Sequence, residues 1–151
     1  MKDPKEEFIR LLYDINKSKG FNELTSKIIS ILYVEPGEIS LDELAKRTGY
    51  SLSAVSTTMN MLSNSILIRR LKKPKSKKIY FYMDKDVLPY IIDTMKKILE
   101  NIKISKKKMP EIISKYKKTK ASKEDLKIAE DYYRRISVIE NIVKKVVKEL
   151  E

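Results

Sequence analysis

The chain has 151 residues, with 33 Lys and Arg against 21 Asp and Glu for a formal charge of +12, and 42% of it is apolar. That is enough for one compact core, or a small domain with an arm, and the positive excess favours a polyanionic partner such as nucleic acid or an anionic membrane surface. The lack of cysteine excludes disulfides and thiol chemistry, and the lack of histidine removes the commonest general base and metal ligand, so no cofactor or metal site is expected. Met1-Lys2-Asp3-Pro4 leads into charged sequence rather than a signal peptide. No apolar run approaches the ~20 residues of a spanning helix. The expectation is a soluble, cytoplasmic protein with no membrane attachment.

Pro4 suits a helix start, and Phe8, Leu11, Leu12 and Ile15 make one apolar stripe, so residues 5–17 read as an amphipathic helix ended by Ser18-Lys19-Gly20. A second helix follows from Asn22 with Leu24, Ile28, Ile31 and Leu32 inward, and Pro36-Gly37 is a turn. Ser40-Leu41-Asp42-Glu43 is a capping box that starts a short helix carrying Leu44 and Ala45 inward. Gly49 supplies the left-handed residue that ends it, and Ser51 caps the next helix. There Leu52, Val55, Met59 and Leu62 fall on one face; Ser53, Thr57, Asn60 and Asn64 lie opposite, with Ser56 beside them. This is the pattern of a helix-turn-helix.

The run Leu41-Asp42-Glu43-Leu44-Ala45-Lys46-Arg47-Thr48-Gly49-Tyr50-Ser51, followed by Ser53-Ala54-Val55-Ser56, places Ala45, Gly49 and Val55 at the offsets of a tight turn between two helices. It resembles the winged-helix transcription regulators of the MarR superfamily, and within them the GbsR-like branch. The resemblance is good over residues 20–85 and only architectural elsewhere. It implies that Glu38-Ile39-Ser40 forms a very short first strand and that the helix from Leu52 enters DNA. It also implies that the remaining helices build a homodimer, and that a small effector controls binding, of choline type in the GbsR-like branch.

After Ser65 the period changes. Residues 66–71 and 79–83 are β-rich runs around a loop containing Pro74, which reads as a hairpin, the wing of the resembled fold. Residues 69–78 hold Arg69, Arg70, Lys72, Lys73, Lys75, Lys77 and Lys78 and no acid. Such a run repels itself and points to an anion.

From Asp86 the chain reads as helical. Leu88, Met95 and Ile102 recur every seven residues, as do Ala129, Ile136, Val143 and Leu150, so both stretches carry heptad-like seams. Pro110 is expected to break or kink the first of these helices. Residues 103–120 form a second basic block, eight lysines against Glu111, with no role assigned to it. The candidate dimer residues are Leu88, Ile92, Met95, Leu99, Ile136, Ile139, Val143, Val146 and Leu150. Tyr132 and Tyr133 are candidates for an aromatic effector site, although tyrosines in such a seam also serve as packing.

Fold class and organisation follow: a mainly α protein with a small β-hairpin. Residues 1–20 are an N-terminal helix packing with the dimerisation region, 21–85 a winged helix-turn-helix DNA-binding domain, and 86–151 a helical dimerisation region. Ser53, Ser56, Thr57 and Asn60 are the candidate base readers. Ser51 at the helix start and the seven wing cations are the candidate phosphate contacts. No residue from Ser51 to Ile68 is charged, so an arginine–guanine contact from the middle of this helix is excluded and A·T-leaning or indirect readout is expected.

An enzyme finds no support: there is no Gly-rich phosphate loop and no carboxylate pair, and Asp42, Glu43, Asp84 and Asp86 read as helix starts. The expected partner is double-stranded DNA with an inverted-repeat operator, bound by a sequence-specific homodimeric regulator. The alternatives are a non-sequence-specific architectural or chromatin protein and a protein-binding winged helix.

Overall fold

Five helices begin on a capping side chain: Asp3, Asn22, Ser40, Ser51 and Ser122 accept the backbone N–H of Lys5, Thr25, Glu43, Ala54 and Asp125. Each such cap is worth about 1 kcal/mol. The computed structural model describes residues 1–151. The elements are α1 (Pro4–Ser18), α2 (Glu23–Val34), β1 (Ile39–Ser40), α3 (Leu41–Thr48), α4 (Leu52–Leu62), β2 (Ile68–Lys72), β3 (Ile79–Met83), α5 (Leu88–Lys118) and α6 (Lys123–Leu150). They fall into two compact units, Met1–Val87 and Leu88–Glu151. No helix is long and apolar enough to cross a membrane.

In the first unit the core is built where the apolar stripes of α2, α3 and α4 meet one face of the sheet. Ile28, Leu32, Leu44, Val55 and Met59 are at most 1% exposed, and Ile39, Ile68, Phe81 and Met83 close over them. Full burial of each such side chain stabilises by roughly 1.5–3 kcal/mol. The sheet is antiparallel in the order β1-β3-β2, with Ile39 opposite Phe81 and Ile68 opposite Met83. Lys85 Nζ donates to the carbonyls of Leu32 and Met83, 2.8 Å from each, which ties the end of β3 to α2.

α1 packs on α2 within the first unit. Phe8 meets Tyr33 edge to face at 6.3 Å, and buried Asn16 reaches the carbonyl of Leu12 at 2.9 Å and Ser30 Oγ at 3.5 Å. Small, fully buried Ser26 and Ser30 line α2 there. The ends of three helices are linked by one carboxylate. Glu35 takes Lys5 Nζ of α1 at 2.8 Å and Arg47 Nη1 of α3 at 3.0 Å.

The second unit is a helical hairpin. The ion pairs Lys96–Glu151, Lys106–Glu140 and Lys117–Glu130 run in opposite sequence directions, so α5 and α6 are antiparallel. Ile102, Ala129, Ile136, Val143 and Val147 are its buried seam. Pro110 does not break α5, which runs unbroken from Leu88 to Lys118. An interior proline costs about 3 kcal/mol through one lost hydrogen bond and a clash. A 31-residue helix packed along a 28-residue partner can absorb that cost.

Glu35 makes the first unit sensitive to acid. Its bond to Lys5 holds its carboxyl below the usual range, burial opposing and Arg47 assisting. The stabilisation is therefore fully present above the ordinary glutamate value of about 4.3 and is lost as pH falls through the lower folded-state value. Glu35→Gln should unfold more easily than the parent at neutral pH. The gap between the two melting temperatures should close in acid, where the parent's carboxyl is protonated as well; a gap independent of pH would refute the assignment.

Candidate nucleic-acid interface

The turn between α3 and α4 is set by Gly49, whose φ of 76° is left-handed and whose N–H returns to Ala45 at 3.0 Å. Ser51 then caps α4, its Oγ accepting the N–H of Ala54 at 3.1 Å. Ser51 can present the backbone N–H groups of the helix start to an anion, and its hydroxyl, which only accepts in the cap, keeps its O–H to donate. Val55 and Met59 are buried on the core side of α4, while Ser53, Thr57 and Asn60 are exposed on the other side with Ser56 half-buried. Leu52, expected inward, is 49% exposed: at the first position of the helix it lies beyond the reach of the core. The Thr57 hydroxyl donates to the carbonyl of Ser53 at 3.0 Å, so towards a ligand it can act only as an acceptor.

The strand period separates the wing cations. Across β2 and β3, Ile68 pairs with Met83, Arg69 with Tyr82 and Arg70 with Phe81. Arg69 and Arg70 therefore start on opposite faces. Arg69 forks onto Asp84, with Nη2 3.0 Å from Oδ1 and 3.1 Å from Oδ2. Asp84 is thus an ion-pair partner and not a helix start. Arg70 turns the other way and donates from Nη1 to Asn60 Oδ1 of α4 at 3.3 Å. Lys73 pairs with Glu38 at 3.1 Å and lies over the Tyr80 ring at 4.2 Å. The run that contains no acid in sequence thus acquires two in space. Arg70, Lys72, Lys75, Lys77 and Lys78 keep their charge without an ion pair.

The wing tip is a tight turn. Ser76 N–H bonds the carbonyl of Lys73 at 3.2 Å, Pro74 occupies the first corner, and Lys75 has a φ of 62°. Proline at the first corner and a positive φ at the second define a type II turn. Lys75 is the one residue other than glycine with positive φ, so a charge stands where a glycine would be more comfortable.

The second unit holds the other candidate residues. Ile136 and Val143, expected at the dimer interface, are buried without any second copy. Met95, Leu99, Ile92, Val146 and Leu150 are half-buried, whereas Ile139 and Leu88 are exposed. The heptad seam is used first for packing α5 on α6, because that pairing is available within the chain. Tyr132 is 45% exposed and its hydroxyl is 2.9 Å from Ser105 Oγ, while Tyr133 is half-buried. Adjacent helical residues diverge by about 100°, so the two side chains leave α6 in different directions.

Helix, turn, capped helix, and a hairpin paired to a two-residue strand are the parts of a known fold. Residues 21–65 match the family model described as winged helix-turn-helix DNA-binding. The winged helix lies within the first unit; its wing, β2 and β3, follows directly on the matched segment. A solved structure described as a crystal structure of a transcriptional regulator is similar at a TM-score of 0.69 and 17% identity, covering 97% of each chain. At that identity the likeness is one of fold. No curated protein sequence matches the chain.

Sequence reasoning missed the contact between Arg70 and Asn60 and the two acids that neutralise part of the wing. The alternation of β2 contained a signal for the first: two adjacent arginines in a strand cannot share a face.

The wing turn is directly testable. Lys75→Gly should relieve the left-handed strain, worth on the order of 1 kcal/mol. The Ser76 amide should then exchange with solvent a few-fold more slowly than in the parent; faster exchange would show that the turn is not of this type.

Proposed function

We propose that this protein is a sequence-specific regulator of transcription that binds duplex DNA as a homodimer. One observation carries the reading. An uncharged polar helix face, held in place by a buried opposite face, stands beside a hairpin with several unpaired cations. Short side chains let a helix sit deep in a major groove, and the lysines of the wing neutralise phosphates and release counterions. In this reading Ser53, Ser56, Thr57 and Asn60 face bases, while the start of α4 and Lys72, Lys75, Lys77 and Lys78 hold the backbone. The resemblance of Leu41–Ser51 to MarR-superfamily regulators, and to their GbsR-like branch, supports the same role. So does the fold shared with a protein described as a transcriptional regulator. A cytoplasmic, non-enzymatic protein is part of the proposal; an effector at Tyr132 and Tyr133 is not, since the side chains diverge.

The dimer rests on an exposed flank of α6. Ile128, Tyr132, Ile139 and Ile142 are 45–70% exposed and follow the spacing four, seven, three, a heptad stripe distinct from the buried one. A second copy presents the same stripe, which is the self-complementarity a two-fold interface requires. Two winged helices so joined would meet successive major grooves about 34 Å apart, on an inverted repeat.

Two experiments test these parts separately. With Lys75, Lys77 and Lys78 replaced by Ala, affinity should fall on every duplex, and the slope of log K against log salt should become shallower by about one for each lost phosphate contact. Unchanged affinity and slope would remove the wing from the interface. For the dimer, Ile139→Glu with Ile142→Glu should leave the hairpin folded, since both side chains are exposed. It should convert a sedimenting dimer to a monomer, with DNA binding weakened about 10²–10⁴-fold by the lost second site. A variant that still sediments as a dimer would place the interface elsewhere.

A further inference from the structure

We propose that Arg70, although it belongs to the wing strand, reads bases together with the recognition helix, and that the Arg70–Asn60 pair selects guanine in the major groove. The inference rests on the DNA-binding reading above and deepens it. Nothing from Ser51 to Ile68 is charged, so α4 by itself can offer no arginine to a base. The sheet supplies one. Arg70 shares its strand face with Ile68, and Phe81 and Met83 lie across the ladder; all three of these neighbours are buried against the helices. An arginine on that face cannot end in the core, and its long stem carries the guanidinium past the edge of the sheet onto the exposed side of α4. It arrives 3.3 Å from Asn60 Oδ1, and both residues are exposed.

The chemistry of the pair is one-sided. A guanidinium can only donate, so it fixes which end of the Asn60 amide faces it: the oxygen takes the Arg70 N–H and the amide N–H₂ points away. The free side of the pair is then a cluster of donors, the remaining guanidinium N–H groups and the Asn60 N–H₂. Guanine shows two acceptors, N7 and O6, on its major-groove edge, and arginine meets them with two parallel hydrogen bonds. Adenine shows a donor at N6 that this cluster opposes, and with the Asn60 oxygen turned towards Arg70 the amide N–H₂ cannot accept from it. Cytosine shows a donor as well, and thymine a single acceptor, O4, beside its methyl group, where the two-pronged guanidinium finds only one partner. The pair therefore favours guanine, contrary to the A·T-leaning readout expected when α4 is considered alone. Arg69 cannot do the same, because the strand alternation sends it to the opposite face and Asp84 holds it there. The absence of any carboxylate on Arg70 leaves its full charge for a base edge.

The test is selection of bound duplexes from a random pool with the full-length parent, Arg70→Ala, Arg70→Lys and Asn60→Ala. The affinity of each for an arbitrary duplex is followed as salt is varied. The parent should select a guanine at one fixed position in each half-site. Arg70→Ala should lose roughly ten- to hundredfold of discrimination there, with the other selected positions kept. Arg70→Lys should not restore it, since lysine lacks the planar fork, and Asn60→Ala should weaken the same position. The inference is overturned if Arg70→Ala keeps the parent's preferences and weakens all sequences alike with a salt slope shallower by about one, the mark of a phosphate contact. A parent that selects a sequence without an Arg70-dependent guanine sinks this inference alone. A parent that selects no sequence at all sinks the regulator reading and this one with it.

Discussion

The rotation of α4 about its own axis is the constraint on which the interface depends. Val55 and Met59, four residues apart and nearly inaccessible to water, clamp the helix against the core formed by α2, α3 and the sheet. A helix held by two buried side chains one turn apart cannot roll without exposing both, a loss of several kcal/mol by ordinary burial energies. Ser53, Thr57 and Asn60 are presented outward as a consequence. The reading face is thus defined by what the core removes from the other side of the helix. The left-handed turn at Gly49 and the cap at Ser51 fix where that helix starts.

Charge on the wing is edited by the fold. A sequence count places seven cations in one acid-free stretch, but Asp84 and Glu38 return to it from either side of the hairpin. Exposed ion pairs of this kind add little to stability. Their consequence is positional: Arg69 is held on the outer face of the sheet and Lys73 beside Tyr80, while the unpaired lysines concentrate towards the turn. A flexible cluster of like charges becomes a directed one.

The second unit shows how one repeat can be used twice. The heptad seam of α6 that includes Ile136 and Val143 is consumed by packing on α5, with ion pairs along the hairpin setting the register. A neighbouring stripe at Ile128, Tyr132, Ile139 and Ile142 is left outside. A helix with apolar residues on two sides has a partner for only one of them within a two-helix hairpin.

Much of this protein is local enough to be read from its sequence. Caps at Asn22, Ser40, Ser51 and Ser122, the glycine at position 49, and the apolar periods of α2 and α4 depend on residues within a turn or two of one another. The elements and the winged helix-turn-helix arrangement therefore follow from them. Pro110 was misleading because a local rule was overruled by a long packed helix. What only the tertiary structure decided is which groups meet across distance. Arg70 stands ten residues from Asn60 in the chain, Arg69 fifteen from Asp84, and Lys73 thirty-five from Glu38, and no periodicity within one segment links such pairs. Composition and pattern determined that a polar helix and a basic hairpin would exist. The register of β2 on β3, fixed by the burial of Ile68, Phe81 and Met83, decided that one arginine would reach the helix and its neighbour would not.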